Sequence, residues 1–313
     1  MTESFVHPAL FYRDAEDYLS ATVPFVVEGL AEGEPVAVAV PPPNLALLRD
    51  ALATFADRIV FHDMSLVGRN PGRIIPGVLR RFADSHPGRH VRIIGEPMWP
   101  SRTDEEYPAC AIHEALVNHA FLGRDATILC PFNAYRLSAE VLRDAEAAHP
   151  LVVDEHGPRP SEHFGPDGLI SRYNRPLNPP PEGAASTTIT GTVANARKFT
   201  KEHALRAGFD PRRLDDLVLA VTELVTNSVE HGGGTSTLHL WSDDNGYLCQ
   251  VSDTGYISDP LAGRLPVGPD RPGGRGLLVV NHLADLVRLH TSPNGTTVQL
   301  RFAWSQANNE LET

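Results

Sequence analysis

Residues 156–186 break the chain into two differently patterned halves, and this break constrains the fold more than any other feature. The stretch is dense in Pro and Gly and closes on Leu177-Asn178-Pro179-Pro180-Pro181-Glu182-Gly183. Neither a helix nor a strand core fits there, whereas a semi-rigid linker does. A chain of 313 residues is also too long for one ordinary domain, so two domains are expected. The division expected is a first domain over 1–172, a linker over 173–186, a second domain over 187–305 and a polar tail over 306–313.

Before the break, helix and strand patterns alternate. Residues 14–33 read as a helix begun at Asp14 and stopped near Gly33, with Pro24 a point of kink or interruption. Strands are expected at 36–40, 59–61, 91–94, 127–130 and 151–153, and helices at 45–55, 74–82, 105–122 and 137–148. Such alternation implies an α/β domain with a mostly parallel sheet covered on both faces.

After the break the order changes. A strand is expected at 188–190 and an amphipathic helix at 193–207, closed by Gly208. Asp210-Pro211 suits the start of a second helix, since Asp caps and Pro fits the first turn. That helix runs to the triple glycine at 232–234. Strands at 237–241 and 247–251 flank Asn245-Gly246, a strong hairpin signal. A helix follows Gly276, and a hairpin of 286–291 and 297–302 closes the domain. Helices on one side of a mixed sheet make an α+β sandwich.

Composition narrows the function classes. The formal net charge of −12 disfavours sequence-independent attraction to nucleic acid. No segment has the length to cross a bilayer, and no export signal is visible, so a cytoplasmic protein without a membrane partner is expected. The cysteines, Cys110, Cys130 and Cys249, show no CxxC spacing. They suggest neither a disulfide framework nor a zinc site.

Three segments of the second domain carry chemistry. In Thr222-Glu223-Leu224-Val225-Thr226-Asn227-Ser228, Glu223 and Asn227 lie four apart and share a helical face. A side-chain amide oxygen there suits Mg²⁺, and a carboxylate can take a proton from an attacking hydroxyl. Asp253-Thr254-Gly255 follows an apolar strand, so Asp253 can accept from an exocyclic amine while Gly255 lets the backbone come close. Gly273-Gly274-Arg275-Gly276-Leu277 opens a helix whose free amides can cradle phosphate. Lysine occurs only at Lys198 and Lys201, so no Walker-type P-loop exists. Each segment taken singly has a plainer reading as a solvated helix face, a turn or a loop.

In this order the three segments resemble the N, G1 and G2 boxes of the GHKL superfamily, to which gyrase, Hsp90, histidine kinases and MutL belong. The wording Glu223-Leu224-Val225-Thr226-Asn227-Ser228-Val229-Glu230-His231 is similar to the anti-sigma serine-kinase branch. The resemblance implies a Bergerat/GHKL ATPase fold with ATP and Mg²⁺ as cofactors. It makes Glu223 the general base, Asn227 the Mg²⁺ ligand and Asp253 the adenine reader. Gly255 belongs to the same pocket, Gly274, Arg275, Gly276 and Leu277 lie at the phosphates, and Thr296 supports the adenine side. Ile257 departs from the pattern, standing where many relatives have a second glycine. The segment with Pro260, Pro266, Pro269 and Pro272 is unusually stiff. A histidine kinase would need a phosphoacceptor helix just ahead of this domain; the proline linker stands there, and His203 belongs to the ATPase fold itself.

The first domain, through residues 7–12, Gly95-Glu96-Pro97-Met98-Trp99-Pro100 and residues 113–118, resembles the MEDS sensory domain, a RecA-like sheet with no P-loop. The whole arrangement is similar to RsbA-type anti-sigma regulators. It implies a partner sigma factor of the alternative type, a STAS-type anti-anti-sigma antagonist phosphorylated on serine, and a homodimer. Two other readings stay open: a non-catalytic, nucleotide-dependent protein-binding module, and a sensor with a degenerate ATPase domain. Glu96 and Trp99 sit past the third strand, where ligands of open α/β sheets bind, but Trp99 packing and Glu96 capping a helix are the plainer expectation. His113, Glu114 and Asn118 form no metal site on this reading, because neighbours i and i+1 do not face one another on a helix.

Overall fold

The computed structural model describes residues 5–267 and 274–304. The chain divides into two compact units; among the described residues the first holds 5–173 and Arg264–Pro266, and the second holds 174–263, 267 and 274–304. Among the described residues no helix is long and apolar enough to cross a membrane.

The first unit is built on β1 (Phe5–Val6), β2 (Pro8–Tyr12), α1 (Ala15–Ala31), β3 (Val36–Val40), α2 (Pro42–Ala51), β4 (Ile59–Asp63), α3 (Met64–Val67), α4 (Arg80–Asp84) and β5 (Val91–Gly95). It continues with α5 (Tyr107–Ala120), β6 (Ala126–Asn133), α6 (Ala139–Ala148), β7 (Leu151–Asp154), β8 (Gly157–Pro160) and α7 (Pro166–Tyr173). Its sheet runs β4-β3-β5-β6-β2-β7-β8, with β1 also pairing β6. Every pairing is parallel except β7 with β8. The run Val36-Ala37-Val38-Ala39-Val40 is buried throughout, as an interior parallel strand covered on both faces must be. Val36, Val38, Leu10, Ile94 and Leu129 share a core with Tyr18, Val26 and Leu30 of α1 and Leu48 of α2.

Helix α1 begins where Asp14 accepts from the amides of Glu16 and Asp17, each at 3.0 Å. It passes through Pro24 without a break. Pro24 lies on the exposed side, where the carbonyl left without its donor can be hydrated. The continuous helix expected at 74–82 is instead a 3₁₀ turn at Pro71–Arg73, a π-helical turn at Ile75–Leu79, and α4. Pro76 has no N–H to give to a regular ladder.

Residues 156–186 are also less irregular than expected. β8 pairs antiparallel with β7 at the sheet edge, the one place where its prolines break no shared ladder. Pro166 opens α7, whose Leu169 packs on Ala115, Ala147 and Ala148. The first unit therefore reaches Tyr173 with regular structure, and residues 174–184 hold no helix or strand.

The second unit comprises β9 (Ala185–Thr190), α8 (Val193–Arg206), α9 (Leu214–His231), β10 (Thr235–Asp243), β11 (Gly246–Asp253), α10 (Gly276–Leu283), β12 (Leu286–Ser292) and β13 (Gly295–Ala303). Its sheet order is β12-β13-β11-β10-β9. All its pairings are antiparallel, which corrects the mixed sheet expected from sequence. The strands alternate, so that Leu238, Leu240, Cys249, Val251, Val298 and Leu300 point into one core with Leu217, Val221, Leu224 and Val225 of α9. Asp210 caps the short 3₁₀ turn ahead of α9 by accepting from the Arg212 amide at 2.9 Å.

Candidate functional site

In the second unit, α9 buries Leu217, Val221, Leu224, Val225 and Ser228 along one stripe. Glu223 and Asn227 lie half-buried beside that stripe, one turn apart. Gly276, at the start of α10, comes directly against them. A methyl placed on Gly276 would stand 3.0 Å from Asn227 Nδ2, 3.1 Å from Asn227 Oδ1 and 3.1 Å from Glu223 Oε2. The acid, the amide and the glycine turn therefore meet.

Asp253, at the end of β11, joins the same group through α9. Ser228 Oγ donates to Asp253 Oδ2 at 2.5 Å, and the Gly255 amide donates to Asp253 Oδ1 at 2.8 Å. Gly255 lies so close to the C-terminal end of α9 that an added methyl would come within 2.8 Å of Gly232 Cα and of the His231 carbonyl oxygen. Thr296 stands opposite Asp253 in the β11–β13 register, and its Oγ1 donates to the Gly255 carbonyl at 2.9 Å. The Thr296 hydroxyl also meets Thr291 Oγ1 at 2.7 Å. Thr291 Oγ1 accepts the Ile257 amide at 2.9 Å, so the position that departs from the family pattern is still tied to the sheet.

Arg275 and Gly274 are exposed where α10 begins, with Gly274 at φ +75°. Leu277 backs against Gly263, and Asn281 Nδ2 donates to the carbonyls of Gly263 and Leu277 at 3.1 and 3.0 Å. Gly273, Pro269 and Pro272 lie outside the described residues, as does the 306–313 tail. His203 turns its Nδ1 to the Phe199 carbonyl of its own helix at 2.9 Å. Sequence reasoning missed Ser228, although it sits next to Asn227, and Thr291, which no short motif marks; Gly232 reads in sequence only as part of the glycine stop of the helix.

In the first unit, Glu96 follows β5 and lines a cavity of about 430 Å³ with Tyr12, Asn44, Trp99, Asn133 and Arg136. Glu96 is 2% exposed. It caps no helix: Tyr12 Oη donates to it at 3.2 Å, and Asn44 Nδ2 reaches both carboxyl oxygens at 3.0 and 2.8 Å. Burial pushes its pKa up to about 8 against the opposing pull of those two donors. The cavity lies at the carboxyl end of a strand, where ligands of open α/β sheets bind. Trp99 packs as expected, with the Arg102 guanidinium 3.8 Å above its ring. Glu114 and Asn118, four apart on α5, both reach the His7 side chain, at 3.7 and 3.1 Å. Glu114 and Asn118 thus converge, against the expectation from sequence, and only His113 and Glu114 point apart as i, i+1 neighbours.

Residues 6–150 match the MEDS family (MEthanogen/methylotroph, DcmR Sensory domain), and residues 186–302 match the histidine kinase-like ATPase domain. A serine-protein kinase RsbW of Listeria innocua is 31% identical over 115 residues, covering 32% of this chain and 72% of that protein. The RsbW of Halalkalibacterium halodurans is 31% identical over 121 residues, covering 34% and 67%. A solved structure of RsbU and RsbW domains from Mycobacterium tuberculosis aligns with a TM-score of 0.29 at 20% identity, over 39% of this chain. This chain spans about a third (33%) of that structure's length.

Proposed function

We propose, from the premise that the chain belongs through its C-terminal ATPase domain to the family of RsbW serine-protein kinases, that it is a cytoplasmic ATP–Mg²⁺-binding anti-sigma regulator. It would sequester an alternative sigma factor and phosphorylate a serine of a STAS-type antagonist. The observation that carries this reading is the approach of Gly276 to the Glu223 carboxylate and the Asn227 amide, with Asp253 held by the next residue, Ser228. A side chain at Gly276 would crowd the acid and the amide, so the site is built to bring bare backbone near them. That is what a triphosphate cradle requires.

The residues fit the group that the family implies. The Asn227 amide oxygen would ligate Mg²⁺, a hard cation that takes oxygen donors. The amides at Gly274, Arg275, Gly276 and Leu277, at the head of the eight-residue α10, would hold phosphate oxygens. Asp253, oriented by Ser228 and by the Gly255 amide, would accept from the adenine amine, with Thr296 bracing Gly255 beside it. Bound Mg–ATP supplies the transferable phosphoryl group and neutralises its charge. Glu223 would take the proton of the attacking serine. The Bergerat arrangement of this domain and a RecA-like origin for the first belong to the same proposal, with the Glu96 cavity as the place where a signal enters.

Glu223→Ala tests the kinase assignment. Phosphoryl transfer to a STAS antagonist should fall at least about a hundredfold, while calorimetry shows nucleotide still bound. Unchanged transfer in this variant removes the kinase reading. Nucleotide binding by the unaltered chain with no transfer to any antagonist favours the non-catalytic binding module.

A further inference from the structure

Away from both of these sites, four side chains that ligate metals converge inside the first unit. His7 precedes β2, Glu114 lies on α5, Cys130 on β6, and His149 follows α6. One ligating atom from each lies within 4.8 Å of all the others, and all four residues are buried. Strand parity explains half of the placement. Ala9 and Cys130 are register partners, so His7, two residues before Ala9, and Cys130 point to the same face of the sheet. Glu114 and His149 meet them there.

The hydrogen bonds fix what each group offers. Asn118 Nδ2 donates to the Ala115 and Ala148 carbonyls at 3.1 and 2.7 Å, which leaves its Oδ1 as the acceptor for His7 Nδ1 at 3.1 Å. His149 Nδ1 lies 2.7 Å from the Ala145 carbonyl, which can only accept. Both rings thus spend their Nδ1 proton outward and turn Nε2 into the cluster. This outward bond is the usual support of a metal-bound histidine. Within the cluster, His7 Nε2 is 3.4 Å from Cys130 Sγ and 3.7 Å from Glu114 Oε2. His149 Nε2 is 3.4 Å from Glu114 Oε2, without the alignment of a hydrogen bond. Both Glu114 oxygens and His149 Nε2 have no hydrogen-bond partner among the described residues. Two imidazole lone pairs, a carboxylate and a sulfur therefore face one another in a space closed to water. The Cys130 thiol proton can serve the His7 lone pair, but the Glu114 carboxylate and the His149 lone pair stay unsatisfied unless a cation sits among them.

We infer that His7, Glu114, Cys130 and His149 bind one divalent first-row transition cation, Zn²⁺ foremost, in a closed four-coordinate site. Tetrahedral Zn²⁺ with nitrogen, oxygen and one sulfur ligand sets ligand–ligand distances of roughly 3.3–3.7 Å; three of the six separations lie at 3.4–3.7 Å, and the rest, all within 4.8 Å, would close on the ion. All four positions come from the protein, so the site is structural, pinning the chain ahead of β2 to α5, β6 and the end of α6. Binding would release the Cys130 proton to solvent as the thiolate forms.

Metal analysis of the purified full-length chain should find about one zinc per chain. After chelator treatment and Co²⁺ addition, the chain should show visible tetrahedral d–d bands and a near-ultraviolet thiolate-to-cobalt charge-transfer band, saturating at one equivalent. Cys130→Ser should lose the charge-transfer band, and Cys249→Ser, in the core of the other unit, should keep it. Should Cys130→Ser fail to fold, the unaltered chain decides through its metal content and its Co²⁺ spectrum. A folded chain with no retained metal and no colour on Co²⁺ addition overturns the inference, because the cluster is then held by protons. An identical spectrum in folded Cys130→Ser overturns it as well.

Discussion

In the first domain His7, Glu114, Cys130 and His149 are 0–3% exposed, drawn from four separate stretches of the chain and shut away from water. In the second domain Glu223, Asn227 and Asp253 stay half-buried, gathered on one helix and one strand end, with glycine backbone pressed close on two sides. Both arrangements bring acceptors together. A sealed cluster can be satisfied only by something small that enters during folding, whereas an open one can exchange a large polyanion such as ATP. The distinction separates a place open to exchange of a ligand from one where a polar group is of use only if its partner is permanent.

Three experiments press on that contrast. The largest effect is expected at Glu96, another buried acid of the first domain. Its folded pKa, about 8, lies above the ordinary 4.5, so between those values the native chain holds a proton that the unfolded chain has released. The stability Glu96 contributes is complete below about pH 4.5 and falls as pH rises toward 8. The slope reaches about 1.4 kcal/mol per pH unit. Denaturant unfolding of the first domain at pH 5, 6.5 and 8 should show this decline against Glu96→Gln, in which the difference vanishes. Equal pH profiles for the two proteins would show that Glu96 is already ionised in the fold.

Next in size is Gly255→Ala. The new methyl would collide with Gly232 Cα and the His231 carbonyl at 2.8 Å, so backbone must move. A loss of about 1–3 kcal/mol in second-domain stability is expected, with nucleotide affinity down at least about tenfold. Unaltered binding by calorimetry would detach the Asp253 turn from the nucleotide site. The smallest effect belongs to Ser228→Ala, which takes one hydrogen bond from Asp253 Oδ2 and leaves Oδ1 with the Gly255 amide. Nucleotide affinity should weaken by about 2–10-fold, with a stability change near 1 kcal/mol. A hundredfold loss would mean that Ser228 contacts the nucleotide itself.

Local chemistry was legible in the sequence and assembled chemistry was not. Asp14 announced α1, Asn245-Gly246 announced the β10–β11 hairpin, and the spacing of Glu223 and Asn227 announced their shared face, because each signal lies within a few residues of its consequence. β2 and β8 escaped notice because Pro8, Pro158 and Pro160 read as breakers. Proline is tolerated at the first position of a strand and along an edge, which is where these three lie. The antiparallel order of the second sheet depends on pairings between distant strands, such as β11 with β13, that no local pattern encodes. The His7–His149 cluster was invisible for the same reason, since its members are separated by up to 142 positions (149 − 7).

The insertion of β2 between β6 and β7 has a consequence for biosynthesis. β2 leaves the ribosome before the neighbours it pairs with and must wait for them: Ala9 pairs with Cys130, and Pro8 with Leu151. At ordinary translation speeds that delay is roughly 6–30 s. Throughout it, Ala9-Leu10-Phe11-Tyr12 remains an unpaired apolar ribbon on the nascent polypeptide, a natural client for a holding chaperone.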